Sequence, residues 1–182
     1  KQGHEEVKIG FEKGELVSIN GKKFPHPTEA IQYLQSIAGP YGIGRDIHVG
    51  DTIIGIKGRV GFEGAAPVLI IKAHHALEKH VLTKWQLSWK DQLAQYLDPV
   101  MRNIEAFLTD SQQNVMGEVS ITLYPYRYQI NGIESSFDLM SSKFGKYGEM
   151  NLGWTGDDVK GFTKIFGNQV AIYYSVKTEN EK

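Results

Sequence analysis

The sequence of 182 residues contains no cysteine. Its absence excludes disulfides, zinc–thiolate sites and cysteine nucleophiles within this chain. It is also compatible with a reducing compartment, and we expect a cytoplasmic protein. With 41% hydrophobic residues, the chain is long enough to bury the core of one domain.

Charge of either sign is not in excess, because the formal net charge is −1. A chain so close to neutral has no electrostatic reason to bind nucleic acid or an anionic membrane. No apolar run approaches the ~18 residues that a membrane-spanning helix needs. The first residue is Lys1 rather than methionine, so we expect the chain to be a piece of a longer protein.

Common signatures of nucleotide binding and of nucleophilic catalysis are missing. The patterns GxxxxGK[ST] and GxSxG do not occur. Gly42-Ile43-Gly44 begins like a dinucleotide-binding loop, but Ile47 stands at the third glycine position and the preceding segment reads as a helix. The sequence therefore predicts neither a nucleotide site nor a catalytic residue on this chain.

Apolar and polar residues alternate in the first 24 residues and again after residue 114, as is typical of strands. Lys13-Gly14 and Asn20-Gly21 should turn the first strands into a meander. Asn131-Gly132 is expected to form a further turn, and Gln169–Val176 a final strand.

Helical periodicity predicts a first helix over Pro27–Ala38, ended by Gly39-Pro40. Three more helices are predicted at Val68–Leu82, at Thr83–Leu97 and from Asp98-Pro99 to about residue 108. The expected fold class is therefore α+β, with a mixed, mostly antiparallel sheet and about three helices inserted between strands.

The stretch from Gly42 to Pro67 holds seven glycines around a central apolar run, Ile53–Ile56. Glycine weakens an ordinary strand and allows a close backbone approach. We expect this stretch, with a central strand at Thr52–Lys57, to form a shaped surface.

Charged residues among these glycines are candidates for ligand contacts. Arg59 could bind a carboxylate bidentately and Glu63 could hold an ammonium group, which together suit an amino acid. The alternative is an internal ion-pair network, with Lys57, that braces the turn. His74 and Glu78 are one helical turn apart and could share a metal ion, but HExxH spacing is absent, so no metal site is predicted and solvated or interface histidines are preferred.

Motifs along essentially the whole chain resemble the carboxy-terminal region of argininosuccinate synthases. They are Gly10–Gly14, the Asn20-Gly21 turn, GIGR at 42–45, the strand at 52–57 with the following Arg59-x-x-Phe62-Glu63 and Pro67, Ala73-His74, Ser111-Gln112 and Gly132-x-Glu134-Ser135. The resemblance implies a synthetase and multimerisation domain over 1–182. Its parts are a meander, a helix and a glycine-rich strand (1–64), helices (65–113) and a β-rich tail (114–182).

The resemblance further implies that this chain is the second half of an ATP-dependent ligase. The family condenses citrulline with aspartate through citrullyl-AMP, giving argininosuccinate, AMP and pyrophosphate in arginine biosynthesis. It works as a homotetramer and binds ATP, with magnesium, mainly in an amino-terminal domain that this chain lacks. The chain would contribute part of the citrulline pocket and subunit contacts, and would be inactive alone.

Two departures from the family fall in the citrulline pocket. Val49-Gly50-Asp51 replaces the family's Val-Glu-Asn, and Phe62 replaces a tyrosine. The residues expected on the citrulline side are Asp51, Arg59, Phe62 and Glu63, with Asp51 as a substitute for the lost acid. Loss of a carboxylate that faces an α-ammonium also suggests that the complete enzyme accepts citrulline acylated on its α-nitrogen.

The competing interpretation is a non-catalytic, stand-alone assembly or binding module derived from this domain. Trp85, Trp89 and Tyr96 lie within twelve residues, which is typical of deep core or of a subunit interface. A third class, an independent small-molecule enzyme, needs a reactive group of residues that the sequence does not offer.

Overall fold

The computed structural model describes residues 1–93, 101–140 and 153–180. By its internal contacts the chain divides into two units, Lys1–Leu139 and Met140–Lys182. The first unit contains all the strands described below and four helices, and the second contains one long helix.

Five strands of the first unit form one antiparallel sheet in the order β3-β2-β1-β6-β7. The strands are β1 (Glu5–Glu12), β2 (Glu15–Ile19), β3 (Lys22–Lys23), β6 (Gly117–Tyr124) and β7 (Arg127–Glu134).

The first two turns of this sheet form where the sequence predicts them. Lys13 and Gly14 have φ of 49° and 79°, and Asn20 and Gly21 have φ of 51° and 74°. Positive φ at both central residues is what a type I′ hairpin requires. Both predicted turns are confirmed.

One face of the sheet is buried and the other is polar. Helices α1 (Pro27–Ala38) and α2 (Ala65–Val81) pack on the buried face, whereas Lys8 and Glu118 pair at 2.8 Å on the other face. Alternation along β1 and β6 produces this division, because successive side chains of a strand point to opposite faces. The sheet contributes Val7, Ile9, Phe11, Val119, Ile121 and Leu123 to the core, and the helices contribute Ala30, Leu34, Ala38, Leu69, Ala73, Leu77 and Val81.

Helices α3 (Lys84–Leu93) and α4 (Met101–Gln112) follow α2 and are both attached to it through Glu78. The Glu78 side chain is 1% exposed. Lys90 of α3 pairs with one carboxylate oxygen, and Gln112 of α4 donates from Nε2 to the other at 2.9 Å. A buried carboxylate is stable only when its charge is paired and hydrogen-bonded, so Glu78 requires both helices to dock.

A separate two-stranded antiparallel sheet precedes α2. It consists of β4 (Arg45–Asp51) and β5 (Lys57–Glu63), and a short 3₁₀ helix, Gly39–Tyr41, connects α1 to it. The predicted central strand at Thr52–Lys57 is wrong, since Thr52–Ile56 forms the loop of this hairpin. Gly55 has φ of 79°, and the Thr52 hydroxyl donates to the Ile56 carbonyl at 2.8 Å, which closes the loop.

Two other predictions after residue 114 are wrong. Asn131-Gly132 does not turn the chain but lies within β7, where Gly132 pairs with Ser120. Neither residue has positive φ, which a type I′ turn would need. The β6–β7 turn lies instead at Pro125-Tyr126, between the paired Tyr124 and Arg127.

The predicted strand at Gln169–Val176 is part of helix α5 (Gly156–Asn180). Its β-branched and aromatic residues suggested a strand, but a capping pair starts a helix upstream. Asp158 accepts hydrogen bonds from the N–H and the hydroxyl of Thr155 at 2.8 and 2.7 Å, and such a pair favours a helix start. Among the described residues of the tail, the last strand ends at Glu134 and the next element is α5.

The α+β class, the antiparallel sheet and the helices inserted between strands are confirmed. The predicted end of the helix Thr83–Leu97 and the helix start at Asp98-Pro99 lie partly or wholly outside the described residues. Within the described ranges, no helix is both long and apolar enough to cross a membrane.

Replacing Glu78 with alanine is expected to destabilise the protein by about 3–5 kcal/mol, because Lys90 would remain largely buried without its counter-charge. Glu78→Gln keeps the side-chain shape and should cost less. The matched control is Asp51→Ala, which breaks the exposed Asp51–Lys57 pair and should cost less than about 1 kcal/mol. Urea unfolding followed by circular dichroism measures the free energy of unfolding of each variant. Equal losses in Glu78→Ala and Asp51→Ala would contradict the role of Glu78 in holding α3 and α4 to α2.

Candidate functional site

The β4–β5 hairpin begins and ends at a close contact between two glycines. The Gly64 N–H donates to the Gly44 carbonyl at 3.0 Å. Gly44 has φ of 74°, and a Cβ built there would lie 2.5 Å from the Gly64 carbonyl oxygen. A side chain cannot fit at Gly44, so this backbone contact fixes the base of the hairpin.

The strand register places the hairpin side chains on two faces. We call them the charged face and the glycine face. The charged face carries the cross-strand pairs Arg45/Glu63, Ile47/Gly61, Val49/Arg59 and Asp51/Lys57. The glycine face carries Asp46/Phe62, His48/Val60 and Gly50/Gly58.

One ion pair lies at each end of the charged face. Arg45 donates from Nη2 to Glu63 Oε1 at 2.9 Å, and Lys57 Nζ lies 2.7 Å from Asp51 Oδ1. Among the described residues, no carboxylate pairs with Arg59, which lies between these two pairs and opposite Val49. Arg59 therefore keeps its guanidinium available for an anionic group.

The glycine face presents an aromatic ring, an imidazole and bare backbone. Phe62 is 43% exposed, and neither Gly50 nor Gly58 has positive φ. A Cβ at Gly58 would meet only Thr52 Cγ2, at 3.6 Å, whereas one at Gly50 would lie 2.5 Å from His48 Nε2. The His48 ring therefore occupies the space above Gly50, and a ligand could approach the backbone at Gly58.

The four residues expected on the citrulline side do not share one face. Asp51, Arg59 and Glu63 lie on the charged face, whereas Phe62 lies on the glycine face. The ion-pair alternative, made for Lys57, Arg59 and Glu63, agrees with the structure for Lys57 and Glu63, although their partners are Asp51 and Arg45 rather than Arg59. Sequence reasoning missed His48, although its position two residues before Gly50 in a strand puts both on one face.

The histidines of α2 lie at the edge of the core and at the surface. His74 is half-buried with its ring against Phe11, 5.3 Å between centroids. Burial lowers the pKa of His74 below its usual value, more than the nearby Glu78 carboxylate raises it. Among the described residues, no group of three or more histidine and acidic side chains is arranged to hold a metal ion.

The family described as "Arginosuccinate synthase C-terminal domain" matches residues 1–173 of this chain. Argininosuccinate synthase from Xanthomonas campestris pv. campestris is 34% identical over 180 residues, which cover 93% of this chain and 45% of that protein. Argininosuccinate synthase from Pyrococcus furiosus is 35% identical over 184 residues, which cover 94% of this chain and 44% of that protein. The chain thus spans less than half the length of these curated relatives.

Proposed function

The chain belongs to the family of argininosuccinate synthase C-terminal domains, and we propose that it is the second half of an ATP-dependent carbon–nitrogen ligase. The complete enzyme would condense citrulline with aspartate through citrullyl-AMP and release argininosuccinate, AMP and pyrophosphate. The observation that supports this proposal is the family match over residues 1–173. The resemblance inferred from the sequence motifs is thereby confirmed.

ATP and its magnesium would be bound by the other half of the complete protein. Gly42 and Gly44 do not fit a phosphate-binding loop, because they lie at the base of a hairpin, and GxxxxGK[ST] is absent from the sequence. The isolated chain would therefore be inactive. Its part in the reaction is to bind and orient an amino-acid substrate.

We assign substrate binding to the hairpin, with different tasks for its residues. Phe62 would pack on the carbon chain of citrulline, and Arg59 would bind a carboxylate. Asp51 and Glu63 would act through Lys57 and Arg45, the cations that they hold. His48 and the backbone at Gly58 would complete the glycine face.

The chemistry of the glycine face supports citrulline acylated on its α-nitrogen as a substrate. A free α-ammonium needs an acceptor or a negative charge close by. Asp46 is the one carboxylate on this face, and it lies at the base of the hairpin, four residues before Gly50 along β4. The His48 imidazole, above Gly50, can donate a hydrogen bond to an acyl carbonyl instead.

Subunit assembly is a second task for the domain. Trp85 and Trp89 are 65% and 53% exposed within this chain, so they are not deep core, and an interface is the remaining interpretation. We propose a homotetramer in the cytoplasm. If the complete protein made no argininosuccinate, these residues would support the alternative of a non-catalytic assembly module.

The test is an assay of the full-length protein with ATP, aspartate and either citrulline or N-acetylcitrulline. We expect formation of AMP, pyrophosphate and the condensed product, with a higher kcat/KM for the N-acyl form. Product formation from free citrulline alone would overturn the N-acyl proposal and keep the ligase. No product from either substrate would contradict the ligase.

Two glycine substitutions on the same strand test which face of the hairpin packs on the carbon chain of citrulline. Gly58→Ala adds a methyl group to the glycine face, with ordinary contacts to Thr52, and Gly61→Ala adds one to the charged face, in open space. Overpacking at a contact costs about 1–3 kcal/mol, so Gly58→Ala should raise the KM of citrulline about tenfold or more.

Gly61→Ala is the matched control and should leave this KM within about twofold of wild type. Thermal unfolding of both variants checks that they remain folded. A larger KM increase for Gly61→Ala than for Gly58→Ala would show that citrulline binding depends more on the charged face than on the glycine face.

A further inference from the structure

Tyr126 lies in the β6–β7 turn in a backbone conformation that tyrosine rarely adopts. Its φ is 62° and its side chain is 77% exposed. When proline is the second residue of a turn and the third has positive φ, glycine is the usual third residue. Hairpin formation alone would therefore favour glycine, and an exposed ring offers little burial to offset the strain.

The strained residue contacts the base of the β4–β5 hairpin. The Tyr126 N–H donates to the Tyr41 carbonyl at 2.8 Å, which ties the turn to the 3₁₀ helix before Gly42. The Tyr126 ring lies over Gly42, since a Cβ on Gly42 would be 2.9 Å from Tyr126 Cε1. The same Cβ would be 3.9 Å from Arg45 Cζ, so the ring and the guanidinium both lie beside Gly42.

These contacts are important because the hairpin has little other support. Within the described residues, β4 and β5 pair only with each other, and all their side chains are exposed or half-exposed. The direction of the hairpin is thus set at its base. The Gly44–Gly64 contact joins the two strands there, and the Tyr126 ring packs against Gly42, beside Arg45.

We propose that Tyr126 is a positioning residue for the substrate-binding hairpin and acts through Gly42 and Arg45. The ring holds the start of β4 in place, and the ladder between β4 and β5, with the Arg45–Glu63 pair at its base, carries this position to β5. The proposal rests on the proposed function, because it assumes that the hairpin contacts the amino-acid substrate. Backbone strain at Tyr126 is retained because the ring is needed at this point.

Three substitutions in the full-length enzyme separate positioning from stability. Tyr126→Phe keeps the ring, Tyr126→Ala removes the ring and keeps the strain, and Tyr126→Gly removes both. We expect the KM of the preferred citrulline form to rise about tenfold in the Ala and Gly variants and to stay unchanged in Phe. The Tm should fall in Ala but equal or exceed wild type in Gly.

Lys13→Gly is the matched control, because Lys13 also has positive φ in a hairpin turn but lies in the β1–β2 turn. It should raise the Tm slightly and leave KM unchanged. A wild-type KM in Tyr126→Gly would overturn the proposal. So would a KM increase that occurs only in Tyr126→Ala, the variant with the lower Tm.

Hydrogen exchange of the same variants without substrate gives a readout that does not depend on activity. Amides of residues 45–63 should exchange faster in Tyr126→Ala and Tyr126→Gly than in wild type and in Lys13→Gly. Equal exchange would overturn the positioning role even if the wild-type protein were inactive. Inactivity of the wild-type protein alone would count against the proposed function instead.

Discussion

The contact between the backbones of Gly44 and Gly64 is the constraint on which the rest of the domain depends. Because Gly44 has no side chain, its backbone can approach that of Gly64 closely. The chain therefore leaves and re-enters the core at one point. Immediately after this contact, Ala65 and Ala66 are buried and α2 begins. The apolar side of α2 then packs on the five-stranded sheet. The hairpin and the core are thereby joined through glycine, and both faces of the hairpin stay exposed or half-exposed.

Buried and exposed ion pairs have different tasks in this chain. Glu78 is fully buried and holds α3 and α4 to α2 through Lys90 and Gln112. The pairs at the two ends of the charged face are about half exposed or more, and water screens them. They therefore add little stability, although they keep a cation beside each carboxylate at the ends of the charged face. This difference separates residues that maintain the fold from residues that shape the candidate site.

Local signals in the sequence predicted the meander and α1 well. Lys13-Gly14 and Asn20-Gly21 adopt the expected turns, and α1 begins at Pro27 and ends at Ala38 as predicted. Each of these elements depends on residues close in sequence. The Ile53–Ile56 run misled because apolar β-branched residues usually indicate a buried strand, whereas here they form an exposed loop.

The faces of the candidate site could not be predicted without the strand register. When a strand is predicted at 52–57, where the loop lies, the cross-strand pairs Gly50/Gly58 and Asp46/Phe62 cannot be recognised. The location of Phe62 and Asp51 on different faces is then missed as well. The contact of Tyr126 with Gly42 joins residues 84 positions apart in sequence and has no local signal. The sequence pattern alone therefore indicated the residue types of the site, but not which residues far apart in sequence lie close together in the fold.

The proposed function depends on binding of the amino-acid substrate by the glycine face of the β4–β5 hairpin. A crystal structure of the full-length protein with citrulline, or its N-acyl form, is the most direct test. We expect the substrate to lie against Phe62 and the backbone at Gly58, with His48 within hydrogen-bond distance of it. A substrate bound only by the charged face, or without contact to the hairpin, would contradict binding on the glycine face.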